Sequence, residues 1–201
     1  MKYPIKKTGR PLSFDRAAAL EQAMLAFWRH GYETTSVAEL TGAMGITPPS
    51  LYAAFGDKQG LFLEAMRLYA GDPAAIAAAL DAAPSARAGA AAMLEGAAIS
   101  FTGDATPPGC LLASATASGS AASADVQVAV AAVRQQVGAL LLDRIARDVQ
   151  LELLPAETDC QALADLVIGA IQGMSVLARD GVPRARLLAM GAQLLSTFPQ
   201  H

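Results

Sequence analysis

Between Phe14 and His30 apolar side chains recur at Leu20, Ala23, Met24 and Phe27, the three-and-four spacing that lays one hydrophobic stripe along a helix. Gly31 ends the run, as a glycine just past a helix does. Ser36 with Glu39 three positions on forms a capping box, which predicts a second, short helix from about Val37 to Ala43. Met44 and Gly45 turn the chain. Thr47 then caps a third helix that opens on Pro48 and Pro49 and closes at Gly56 and Asp57. Pro49 has no N–H to offer, so this cap should bond the N–H of Ser50. A fourth helix follows from Lys58 through Tyr69, with Leu61, Phe62, Ala65, Met66 and Tyr69 on its inner face.

Pro73 in "AGDP" breaks that helix, because proline cannot continue the hydrogen-bond ladder. Further breaks at Pro84, "TPPG", "SGSAAS", Pro155 and "DGVP" delimit helices near 85–102, 108–117, 124–150, 158–179 and 183–198, with "SGSAAS" as a flexible loop. No strand-like alternation and no internal repeat occurs, so the pattern predicts an all-α chain of about nine helices. Two late helices are apolar over much of their circumference, which calls for burial on two sides. A pair of helices shared between two subunits meets that need. The interface residues expected on this reading are Leu163, Val167, Ile171, Met174, Leu187, Met190 and Leu194. The alternative is that both helices serve a single monomer core.

Composition narrows the class. Of the 201 residues 53% are hydrophobic and only 16% charged, and the excess is mostly alanine, the strongest helix former. No run of 18 or more apolar residues is free of charges or breakers, and "MKYPIKKTGRP" lacks the apolar stretch of a signal peptide. A cytoplasmic protein without a membrane span is expected. The net charge of −3 is unevenly spread: residues 1–60 carry seven basic and five acidic side chains, the remainder eight and thirteen. That split suggests an N-terminal part that meets a polyanion; the alternative is ordinary surface variation. Cys110 and Cys160 have no metal or CxxC spacing, and the plain reading is a pair of reduced thiols, with a redox role as the alternative.

Assembled, residues 36–55 make a short capped helix, a tight glycine turn and a second short helix braced by the helix before. This is a helix-turn-helix, whose second helix enters the DNA major groove. Leu40, Met44, Ile46, Leu51 and Phe55 have the spacing to lock the angle between the two. The segment "GYETTSVAELTGAMGITPPSLYAAFGDKQGLF" resembles the DNA-binding domain of TetR-family transcriptional regulators, in the branch with "SLYAAFGDK", over about 50 residues from Phe14 to Leu63. "PPGCLLASA" and "LVIGAIQGMSVLARDG" resemble C-terminal segments of the same branch. The resemblance implies an all-α homodimer. Its parts would be a basic arm (1–12), a helix-turn-helix domain (13–57) and a C-terminal domain (58–201) for ligand binding and dimerisation. It also implies a repressor of a palindromic double-stranded DNA site, released when a small-molecule effector moves the fourth helix.

Carried over by position, Ser36, Tyr52 and Lys58 resemble phosphate contacts, and Thr47, Pro48, Pro49 and Ser50 occupy positions that touch base edges or nearby backbone. The chain departs from many members at Ala38, Ala53 and Ala54, so hydrogen-bonded base readout should be sparse. The two prolines offer a rigid apolar edge suited to thymine methyl groups. Lys6, Lys7 and Arg10 place a basic arm before the first helix that can enter an adjacent minor groove; the alternative is a merely solvated tail. Tyr69, Cys110, Ser114, Gln172 and Ser175 are polar points in apolar helices, candidates for an effector pocket or simply satisfied polar groups. The two histidines, His30 and His201, offer neither a catalytic nor a metal cluster, and no Walker, GxGxxG or zinc spacing is present. A non-enzymatic protein without cofactor is expected. The rival is a helical ligand-binding or scaffold protein that has lost specific DNA binding.

Overall fold

Polar caps set most of the helix starts. Asp15, Ser36, Thr47, Asp57, Asp72, Ser85 and Asp159 each take a backbone N–H of the first turn that would otherwise lack a partner. The computed structural model describes residues 14–115 and 123–199, and within them every regular element is helical. The order is α1 (Arg16–His30), α2 (Val37–Met44), α3 (Pro48–Phe55), α4 (Lys58–Ala70), α5 (Pro73–Ala82), α6 (Ala86–Phe101), α7 (Leu111–Ser114), α8 (Ala124–Gln150), α9 (Cys160–Arg179) and α10 (Arg184–Leu195). The predicted helix near 108–117 contracts to the single turn of α7, because Gly109 takes a positive φ of 78° and holds the preceding "TPPG" out of helix. The arm carrying Lys6, Lys7 and Arg10, and most of "SGSAAS", lie outside the described residues.

The chain folds into a small head, α1 to α3, on a larger helical body. α4 belongs to both. Its first half completes the head core: Phe62 packs edge-on against Phe27 at 5.1 Å and against Tyr32 at 5.0 Å, and Leu61 is fully buried beside them. Burying one such side chain contributes about 1.5–3 kcal/mol, so this cluster is a main source of the head's stability. Leu40, Met44, Leu51 and Phe55 are buried as the spacing predicts, with Ile46 half-buried at the turn. Arg16 fastens the head from outside. Its guanidinium lies 4.4 Å from the Phe55 ring centre, donates to the Ala54 carbonyl at 3.2 Å and pairs with both Glu64 oxygens at 2.8 Å.

In the body, α6, α8, α9 and α10 pack on one another, and α5 lies along α8. The turn between α5 and α6 is pinned by a buried ion pair on α8. Arg144 donates to the carbonyls of Leu80 and Ala83, Asp148 accepts the Ala86 N–H at 2.6 Å, and the two side chains pair one helical turn apart. The i, i+4 spacing of this pair is visible in the sequence; its partners 60 residues away are not. By length and hydropathy α9 alone among the described residues is apolar enough to cross a bilayer. Its packing against α6, α8 and α10 takes up only part of that apolar surface, 28% of the apolar stretch being buried.

Candidate nucleic-acid interface

The helix-turn-helix forms by short-range chemistry. Ser36 Oγ accepts the Glu39 N–H at 3.2 Å, and the Glu39 carboxylate accepts the Ser36 N–H at 2.7 Å and its hydroxyl at 2.8 Å, closing the capping box. These bonds hold the Glu39 carboxyl below the usual carboxylate range. Gly45 takes the left-handed conformation at φ 65°, and the N–H of Ile46 returns to the Thr41 carbonyl. Thr47 caps α3 through the N–H of Ser50 at 3.4 Å, with their hydroxyls 2.9 Å apart. Leu51 and Phe55 turn inward, which leaves Pro48, Pro49, Tyr52 and Ala53 on the outer face of α3. Tyr52 is 50% exposed. Ala54 is not on that face: it is half-buried and its carbonyl is taken by Arg16.

The charged candidates are more constrained than the sequence suggests. Lys58 sits 4.6 Å above the Tyr32 ring centre and donates to the Glu33 carbonyl at 3.3 Å. Desolvation there lowers its pKa, partly offset by Glu33 and Glu39. Two ammonium protons remain for a phosphate, at a fixed place at the start of α4. Arg16 is committed to Glu64 and Phe55. From residue 14 to 58 the chain carries Arg16, Arg29 and Lys58 against Asp15, Glu21, Glu33, Glu39 and Asp57, a net of −2. The positive balance of the N-terminal part therefore resides entirely in Lys2, Lys6, Lys7 and Arg10.

Against known proteins, residues 19–65 match the bacterial regulatory proteins of the tetR family. The HTH-type transcriptional repressor ComR of Escherichia coli (strain K12) is 34% identical over 201 residues, covering 97% of this chain and 94% of that protein. The chain belongs to the TetR family. BdcR, a second HTH-type transcriptional repressor of the same organism, is 47% identical over 66 residues, 33% of this chain and 34% of that one. Among solved structures, the TetR-family regulator CifR, as a cysteine mutant complexed with 26-base-pair double-strand operator DNA, superposes with a TM-score of 0.89. It shares 44% identity and covers 95% of this chain and all of its own.

In this TetR-family chain four of the five pocket candidates meet in one place. The N–H of Cys110 donates to Ser175 Oγ at 2.8 Å, Tyr69 lies beside the Cys110 side chain, and Ser114 Oγ donates to the carbonyls of Cys110 and Leu111. Burial pushes the Tyr69 phenol well above its usual range. The two serine hydroxyls are thus engaged by backbone groups of this turn. Gln172 lies elsewhere, in a groove between α8 and α9 with Arg134, Gln161 and Asp165. The expected dimer residues also divide. Leu163, Val167, Met174 and Leu187 are buried in the chain's own core. Ile171, Met190 and Leu194 are half-buried. The free apolar positions are Leu166, Val176 and Leu188, and Leu166 with Gly169, Ala170, Met190 and Leu194 lines a groove between α9 and α10. Periodicity identifies α9 as apolar nearly all round but does not say which side the monomer claims.

Proposed function

We propose that this chain is a transcriptional repressor that binds a palindromic double-stranded DNA operator as a homodimer and leaves it when a small-molecule effector binds the body. The reading rests on the outward face of α3, where Pro48, Pro49 and Tyr52 stand exposed beside the capped ends of α2 and α4. Such a surface reads DNA through thymine methyl contacts and shape, with phosphates held by Tyr52, Lys58 and the Ser36 and Thr47 turns. The protein acts in the cytoplasm and is not an enzyme; its partners are DNA, a second copy and the effector. The exposed stripe on α9 and α10, centred on Leu166 and Val176, is the surface offered to the second copy, in place of the buried Leu163, Val167, Met174 and Leu187. A salt-dependent titration of the full-length protein on its own upstream DNA and on a scrambled sequence tests the reading. Tighter binding to the native sequence at physiological salt is expected. Equal affinity would favour a helical ligand-binding protein that has lost specific DNA recognition.

A further inference from the structure

The last turn of α1 is fastened to the body by a side chain and a backbone group of one residue. Trp28 is buried, and its indole N–H donates to the Gly109 carbonyl at 2.9 Å. The Trp28 carbonyl belongs to the final helical turn, where carbonyls lack intrahelical donors. It accepts from Arg179 Nη2, at the end of α9, at 3.0 Å, with Ser114 Oγ at 3.5 Å. Arg179 lies across Gly109: a Cβ built there would stand 2.8 Å from Arg179 Nε and 2.7 Å from the Ser175 carbonyl. With φ at 78° and its N–H on the Phe101 carbonyl, Gly109 is a site that no larger residue fits. The same turn also neighbours α4, since Tyr69 lies beside Cys110 and packs edge-on against Trp28 at 4.8 Å.

The head is thus attached at two points: covalently through α4, and through the end of α1 by Trp28, Gly109 and Arg179. A body held at one point swings about it; held at two, it keeps one angle. We infer that the Trp28–Gly109–Arg179 clamp sets the angle of the head on the body, and so the half-site spacing that a dimer accepts, with Trp28 and Arg179 as positioning residues. The inference rests on the repressor reading. One base pair of added spacing moves the half-sites apart by about 3.4 Å and rotates them by roughly 35°. A clamped pair of heads rejects that change and a released pair tolerates it. Displacing the Gly109–Cys110 turn would loosen α1 and α4 together.

Two measurements on the full-length protein test this. In the first, affinity is measured for operators with zero, one or two base pairs inserted or removed at the centre. Wild type should lose about tenfold or more per step. Arg179→Ala and Trp28→Phe should flatten the series to within about threefold, Arg179→Lys should restore part of it, and melting should stay cooperative. Arg184→Ala, which removes similar bonds to Thr102 inside the body, should match wild type. Variants that fold and keep the wild-type spacing preference overturn the inference. In the second, spin labels at Glu21→Cys in a Cys160→Ser background report the distance between heads without DNA. A broader distribution in Arg179→Ala than in Arg184→Ala supports the clamp even if no operator is recognised, in which case only the repressor reading fails; identical distributions overturn it.

Discussion

Removing residues 1–12 should abolish most of the salt dependence of DNA binding. Between residues 14 and 58 the chain is net negative, and of its three cations Arg16 is locked on Glu64 and Lys58 is half-buried on Tyr32. Of this segment only Lys58 is placed to meet a phosphate, so it supplies the smaller part of the counterion release that drives binding. Of the four cations removed, Lys6, Lys7 and Arg10 are the three expected at the DNA, six in a dimer. Each phosphate neutralised contributes about 0.9 to the slope of log K against log salt, so the arm accounts for roughly five units. A rise from about 50 to 200 mM salt should weaken the full-length protein on the order of 10³-fold more than the truncated one. Fluorescence anisotropy on a labelled operator measures both slopes, and a second operator with G·C-rich flanks measures the arm's minor-groove preference. A truncated protein whose slope stays within about one unit of the full-length value would refute the argument and reduce the arm to a solvated tail.

Three further outcomes follow from the same geometry. Tyr52→Phe should weaken binding to every sequence alike, by about tenfold or more per half-site and so about a hundredfold or more for the dimer, and Lys58→Ala should lower the salt slope by about one to two units; a changed base preference at an intact slope would remove both from the phosphate contacts. Arg144→Ala leaves Asp148 as a buried unpaired charge and should cost about 3–5 kcal/mol, a drop of roughly 10 °C in melting temperature, whereas Arg147→Ala, in an exposed pair with Asp81, should cost under about 1 kcal/mol. Equal losses in thermal denaturation would contradict the buried pair's role. Leu166→Glu should convert the dimer to monomer in sedimentation while the melting of the monomer fold is preserved; a variant that stays dimeric would place the interface elsewhere.

The local motif was legible because its determinants lie within a few residues of one another. The Ser36–Glu39 box, the Gly45 turn and the Thr47 cap on Ser50 all form as the sequence predicts, since each depends on a bond spanning three to five positions. The inward set Leu40, Met44, Leu51 and Phe55 follows from helical spacing for the same reason. Other features needed the third dimension. A basic residue in the sequence is only a charge; the fold decides that Arg16 braces α1 against α3 and α4 and that Lys58 rests on an aromatic ring. An apolar helix is only apolar; the packing of α6 and α8 on α9 decides that Val167 and Met174 face the core and Leu166 and Val176 do not.

By itself, then, the sequence determined the helical class, the helix-turn-helix and the residues on its outer turn, because propensity, capping and periodicity act over one or two turns of chain. Only the tertiary structure decided how the head is held. The bonds that do this join Trp28 to Gly109 and Arg179, 81 and 151 positions away; within the body, Arg144 pins the far end of α5 in the same long-range way. Contacts of that separation leave no periodic trace along the chain, since they depend on where whole helices come to rest.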